Sequence, residues 1–228
     1  MQNRICENID KIKAEIEHTC AKCSRNPENI KLLAVSKYFP AEDIITLYNH
    51  GHRFFAENKA QELRDKIKVT PEDIEWHFIG SIQTNKIKYL IPNVSLIHSV
   101  SREKEIAEIS KKAVYENIIQ DFLIEVNISG EESKSGLNPD KVKNFADYCN
   151  NLKNIRLKGF MTMAPFDSDE KELHKIFGSL RNMRDEFNSY DKNITELSMG
   201  MSGDFKIALE EGATILRIGS SIFGTRNY

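Results

Sequence analysis

The sequence has no apolar run approaching the roughly 18 residues that a membrane-spanning helix requires. The stretch from Met1 to Asp10 also lacks the apolar core of a secretory signal. Both absences point to a protein of the cytosol that neither crosses nor anchors in a membrane. There is no basic surplus: 32 Lys and Arg stand against 34 Asp and Glu, a formal net charge of −2, with no basic stripe. A duplex-binding surface needs such an excess to displace counterions, so no nucleic-acid partner is expected. No Pro/Gly/Ser-rich linker and no low-complexity tract divides the 228 residues. A single domain with a core of ordinary size is therefore expected.

Cysteine is scarce. Of the four, Cys20 and Cys23 form a C-x-x-C with His18 two residues earlier. No second Cys or His pair supplies the other half of a zinc tetrahedron, so no metal site is expected. A thioredoxin-type pair would follow a strand. This one sits near the end of an amphipathic helix, over about 3–24, whose apolar side carries Ile5, Ile9, Ile12 and Ile16.

What the chain does contain is a repeated unit: a short apolar run, a polar turn, then an amphipathic helix. Strands are predicted over 32–36, 53–56, 76–79, 96–98, 122–128, 157–161, 196–199 and 215–218. Helices are predicted over 41–50, 59–66, 84–90, 102–115, 139–152, 169–188 and 205–210, with a last short one starting near Ser221. Eight strand–helix units in strict alternation specify an α/β fold of the (β/α)8 TIM-barrel type, with one extra N-terminal helix. The rival, a doubly wound open sheet, would show a Gly-rich turn after the first strand. That turn reads Ser36-Lys37-Tyr38-Phe39-Pro40. The longest polar stretch, 127–139, is expected to be a rim loop.

In such barrels reactive groups sit at the C-terminal ends of the strands. Strand periodicity puts Leu33, Val35 and Lys37 on one face. At a barrel mouth the Lys37 amine would be partly desolvated, and a neutral amine attacks aldehydes; alternatively it snorkels to solvent. Arg217 interrupts Ile215, Leu216 and Ile218 and needs a partner. That partner is either a carboxylate such as Glu57 or Glu125, or an acceptor on a ligand. Gly219-Ser220 after strand eight, and Gly200, Ser202 and Gly203 after strand seven, occupy the usual phosphate address of this fold. They are otherwise turns and caps, with Ser202 set to cap the helix that follows it. A phosphorylated sugar aldehyde satisfies the lysine and the phosphate turns. Pyridoxal 5′-phosphate (PLP) also gives Arg217 an acceptor, its ring nitrogen.

In order along the chain stand Ala34-Val35-Ser36-Lys37, Phe55-Ala56-Glu57-Asn58, Trp76-His77-Phe78-Ile79-Gly80 and Gln83-Thr84-Asn85-Lys86. Ser133-Lys134-Ser135-Gly136, Gly159-Phe160-Met161, Leu197-Ser198-Met199-Gly200-Met201-Ser202 and Arg217-Ile218-Gly219-Ser220-Ser221-Ile222-Phe223-Gly224 follow. As a set they resemble the YggS/PROSC group, the PLP homeostasis proteins, over nearly the whole chain. The family's usual Phe-Gly-Glu-Asn reads Phe-Ala-Glu-Asn here. The resemblance implies a barrel like the N-terminal domain of alanine racemases, with PLP held as an internal aldimine on Lys37. It implies Arg217 facing the pyridine nitrogen, Ser202, Gly219 and Ser220 on the phosphate, and Asn58 close to the cofactor. His77 and Met201 are further candidate contacts.

Alanine racemases also carry a C-terminal β-domain and a second, tyrosine base. The present sequence stops at Tyr228, soon after Gly224. A guanidinium opposite the ring nitrogen disfavours its protonation and weakens the ring as an electron sink. The expected role is therefore PLP storage, carriage or regulation by a monomer, with no catalytic residues assigned and PLP-dependent apoenzymes as possible recipients. A low-activity PLP-dependent amino-acid racemase and a Schiff-base phosphosugar aldolase are the alternatives.

Overall fold

The computed structural model describes residues 2–131 and 135–224. Eight parallel strands close into a barrel in sequence order. They are β1 (Lys31–Val35), β2 (Phe54–Glu57), β3 (Glu75–Phe78), β4 (Leu96–Val100), β5 (Gln120–Glu125), β6 (Ile155–Met161), β7 (Glu196–Ser198) and β8 (Ile215–Ile218). The helices are α1 (Gln2–Lys22), α2 (Ala41–Asn49), α3 (Ala60–Ile67), α4 (Ile87–Leu90), α5 (Glu103–Tyr115), α6 (Val142–Asn150), α7 (Glu170–Tyr190), α8 (Phe205–Glu210) and α9 (Ser220–Phe223). Among the described residues, no helix is long and apolar enough to cross a membrane.

Alternation along each strand divides the apolar residues into two cores. Leu33, Val35, Ala56, Leu96, Leu123, Met161 and Ile215 fill the barrel interior. A much larger layer lies between strands and helices, including Phe55, Phe78, Phe122, Phe160, Leu197 and Leu216. Helix α1 packs against α2, α8 and α9. It buries Ile5, Ile9, Ile12 and Ile16, the stripe read from the sequence. Cys20 is buried in the same layer, and the Cys23 thiol donates to the Thr19 carbonyl. All four cysteines are free thiols.

Several boundaries differ from the sequence reading for identifiable reasons. The fifth strand ends at Glu125, not residue 128, because the chain returns. Leu137 N donates to Glu125 O at 2.8 Å, and Asn127 N donates to Leu137 O at 2.9 Å. Both described ends of the 127–139 loop are thereby pinned. Lys134 and Ser133 lie outside the described residues. The 84–90 helix is a 3-10 turn over Thr84–Lys86 followed by one α turn, and the 139–152 helix likewise opens as a 3-10 turn, Pro139–Lys141. Helix α7 runs two residues beyond its expected end. Its start is fixed by Asp169, whose side chain accepts from Glu172 N at 2.8 Å.

Candidate site at the C-terminal mouth of the barrel

Strand order makes β7, β8, β1 and β2 consecutive around the barrel. The residues leaving their C-terminal ends therefore share one side of one mouth. Lys37 follows β1, Asn58 follows β2, Met201 and Ser202 follow β7, and Arg217, Gly219 and Ser220 belong to or follow β8.

The turn that carries Lys37 is fixed from outside the barrel. Buried Lys66 of α3 donates to the Ser36 carbonyl at 2.8 Å and to Glu57 Oε1 at 2.5 Å. It also donates to Glu62 Oε1 at 2.8 Å. Ser36 Oγ donates to the same Glu57 oxygen at 2.7 Å, and Tyr38 N donates to Glu62 at 2.8 Å. The backbone is thus held on both sides of Lys37. Burial pushes the Glu57 carboxyl up, opposed by Lys66 and Ser36. The sequence reading missed this cluster. Its available signal was the i,i+4 pair Glu62–Lys66.

Glu57 is therefore not the partner of Arg217; alternation in β2 points it outward. Arg217, only 4% exposed, donates through Nη1 to Ser198 Oγ at 2.7 Å and through Nη2 to the Thr162 carbonyl at 2.9 Å. Among the described residues no carboxylate forms an ion pair with it. Burial lowers the Arg217 guanidinium to about 10, with Asp204 and Glu125 opposing. It stays charged at neutral pH, and it has N–H groups beyond the two already engaged.

Ser202 does not cap α8. Asp204 holds that position, and its carboxylate accepts from Met201 N. Ser202 Oγ instead accepts from Ser221 N at 3.3 Å and from Ser220 Oγ at 3.1 Å, joining the β7 and β8 turns. These hydroxyls and the amides opening α9 form one polar cradle suited to an anion. Gly200, at φ +94, lets the β7 turn pass over α8; a Cβ there would meet the Ala208 Cβ at 2.7 Å.

Asn58 carries a buried Oδ1 with no hydrogen-bond partner. A native buried acceptor without a donor calls for one from outside the chain. Behind it, Gly80 leaves room for the Asn58 backbone: a Cβ at Gly80 would lie 1.9 Å from Asn58 O. His77, in contrast, does not open to the mouth. It is 1% exposed, with Nδ1 2.8 Å from His98 Nε2 and Nε2 3.0 Å from Glu75 Oε1.

Residues 8–227 match the family model described as alanine racemase, N-terminal domain. A pyridoxal phosphate homeostasis protein of Aquifex aeolicus is 43% identical over 98% of this chain and 99% of its own. This chain belongs to that family. The Escherichia coli member of the same name is 35% identical over 99% of this chain and 98% of its own. Among solved structures, PipY of Synechococcus elongatus, determined with PLP bound, is 28% identical with a TM-score of 0.84. The match covers 97% of this chain and all of PipY. An alanine racemase from Clostridium difficile shares only 14% identity, at a TM-score of 0.79. It covers 99% of this chain and 58% of that one, and it relates the family to racemases by fold alone.

Proposed function

We propose that this PLP homeostasis family member binds PLP at the C-terminal mouth and holds it covalently through the Lys37 amine. On this reading Ser202, Gly219 and Ser220 receive the phosphate. Arg217 faces the ring nitrogen, and Asn58 accepts from a donor on the cofactor with its unpaired oxygen. Met201 lines the site through the turn that its own amide helps to close. His77 acts from within the barrel and makes no direct contact. The observation that carries the reading is the convergence of this set on four consecutive strand ends, with an orphaned buried acceptor among them. PLP bound to PipY supports it.

The proposed role is storage, carriage or regulation of PLP, by a cytosolic monomer that passes the cofactor to PLP-dependent apoenzymes. When bound, the cofactor supplies a reactive aldehyde and an electron-withdrawing ring. Arg217 keeps a positive charge where a pyridinium would otherwise form, so the site favours reversible capture over carbanion chemistry.

The test is direct. Reduction of the coloured protein with borohydride, followed by peptide mass spectrometry, places phosphopyridoxyl on Lys37; label confined to another lysine refutes the site. Cα-deuterium exchange across a panel of amino acids stays at or below that of free PLP. Turnover of any amino acid on the order of 1 s⁻¹ would make the protein an enzyme. A colourless protein that traps a sugar phosphate would make it an aldolase.

A further inference from the structure

A continuous polar chain crosses the barrel interior, and the cofactor contacts proposed above do not require it. It begins at the N-terminal mouth with Glu75, the first residue of β3, about one-third exposed and ion-paired with Lys31. Glu75 Oε1 lies 3.0 Å from His77 Nε2, and His77 Nδ1 lies 2.8 Å from His98 Nε2. His98 Nδ1 lies 2.8 Å from Ser198 Oγ, which accepts from Arg217 at 2.7 Å. His77, His98 and Ser198 are each 1% exposed or less. Such barrels usually fill this space with branched aliphatic side chains.

The ends of the chain fix its direction. An arginine only donates, and an ionised carboxylate only accepts. The His77 hydrogen bond and Lys31 hold Glu75 ionised, down at about 2. Burial keeps both imidazoles neutral. His77 must then donate from Nε2 to Glu75 and accept at Nδ1. His98 must donate from Nε2 and accept at Nδ1 from the Ser198 hydroxyl. Every bond points from Arg217 toward Glu75, so all the dipoles favour a cation at one end and an anion at the other. This arrangement helps to make a desolvated guanidinium tolerable where no carboxylate among the described residues forms an ion pair with it, Asp204 and Glu125 acting only from a distance.

We propose that Glu75 is a remote counter-charge of Arg217, acting through His77, His98 and Ser198, and that this relay positions the guanidinium for the ring nitrogen of bound PLP. The positioning half rests on the PLP reading above; the relay itself does not. Glu75, His77, His98 and Ser198 are positioning residues, since none touches the cofactor.

Two measurements test the proposal. ¹⁵N NMR of histidine-labelled wild-type protein without PLP, at neutral pH, should give both His77 and His98 as the Nε2–H tautomer with Nδ1 bare. An Nδ1–H tautomer or an imidazolium at either residue overturns the relay. PLP affinity is then compared among variants shown to be folded by circular dichroism. Ser198→Ala, which cuts the relay beside Arg217, should weaken binding roughly tenfold or more, the worth of a charge-assisted hydrogen bond. Glu75→Gln keeps an acceptor for His77 and removes only the charge at the far mouth. It should weaken binding about fivefold, at the low end of coupling between distant sites. Glu196→Gln is the matched control: a carboxylate at the same mouth, bonded to Thr214 and outside the relay. Unchanged affinity in Glu75→Gln, or an equal loss in Glu196→Gln, overturns the positioning role. A protein that takes up no PLP refutes the cofactor reading, and the tautomers then decide the relay alone.

Discussion

Glu125, the last residue of β5, provides a stability test independent of any ligand. It shares the inward parity of Leu123, is 5% exposed, and burial pushes it up to about 7 from an ordinary 4.5, with Arg217 pulling the other way. The native state therefore binds a proton more tightly than the unfolded chain does. Between about 4.5 and 7 the native state holds more protons, so this group's contribution to stability falls as pH rises, and the loss is complete above 7. At 1.36 kcal/mol per pH unit, the loss amounts to about 3 kcal/mol. Glu125→Gln keeps the shape and has nothing to titrate. We expect the variant's stability relative to wild type to rise by about 3 kcal/mol between pH 4.5 and pH 8, read from urea unfolding at closely spaced pH values. The buried neutral histidines His77 and His98 act in the opposite sense. Burial lowers both, so their contribution is lost as pH falls below the usual 6.5. They are common to both proteins and cancel in the difference. Parallel stability curves for the two proteins would refute the burial of an uncompensated carboxyl at this position.

Lys66→Met leaves Glu57 buried without its cation and should cost about 3 kcal/mol in urea unfolding, the usual penalty for breaking a buried pair. Gly80→Ala drives a methyl into the Asn58 carbonyl. It should cost about 2 kcal/mol as overpacking and weaken PLP binding in equilibrium titration, because Asn58 must move. Lys37→Ala should abolish borohydride-stable label while leaving weaker, phosphate-anchored binding measurable by dialysis. Ser202→Ala should weaken that residual binding further, by about 1 kcal/mol.

The sequence made the barrel readable because each strand obeys its own alternation, and alternation is local. Leu33, Val35 and Lys37 could be set on one face from five consecutive residues, and the structure puts Leu33 and Val35 in the interior. The α1 isoleucine stripe was legible for the same reason. The misses share a different cause. Ser202 was assigned to the nearest helix, whereas its partner, Ser221, lies 19 residues on and meets it only because β7 and β8 are neighbours. The end of β5 was overrun because Val126 and Ile128 continue an apolar pattern, and nothing local announces that Leu137 returns to pair there. Glu57 was offered to Arg217 without asking which face of β2 it occupies; it directly follows Ala56, an interior residue, so alternation already directed it outward.

The polar interior was the least legible feature, and the reason bears on how such a site is built. His77, His98, Ser198 and Arg217 belong to β3, β4, β7 and β8, and each taken alone is one polar residue in an apolar strand. Isolated, each reads as a defect that burial should penalise by several kcal/mol. Closure offsets the penalty, since it brings these four side chains into one hydrogen-bonded chain. The C-terminal mouth, where we propose that PLP binds, and the N-terminal mouth are then joined by one chain of hydrogen bonds. In an aliphatic interior a charge at the cofactor would have to be balanced within the site itself, next to the aldehyde. On our proposal part of that balance comes from Glu75 at the opposite mouth, paired with Lys31, in addition to the nearer Asp204 and Glu125. On the proposed reading the site presents to the ring nitrogen a guanidinium whose hydrogen bonds go to Ser198 and the Thr162 carbonyl, while burial pushes the Glu125 carboxyl at the same mouth toward its neutral form.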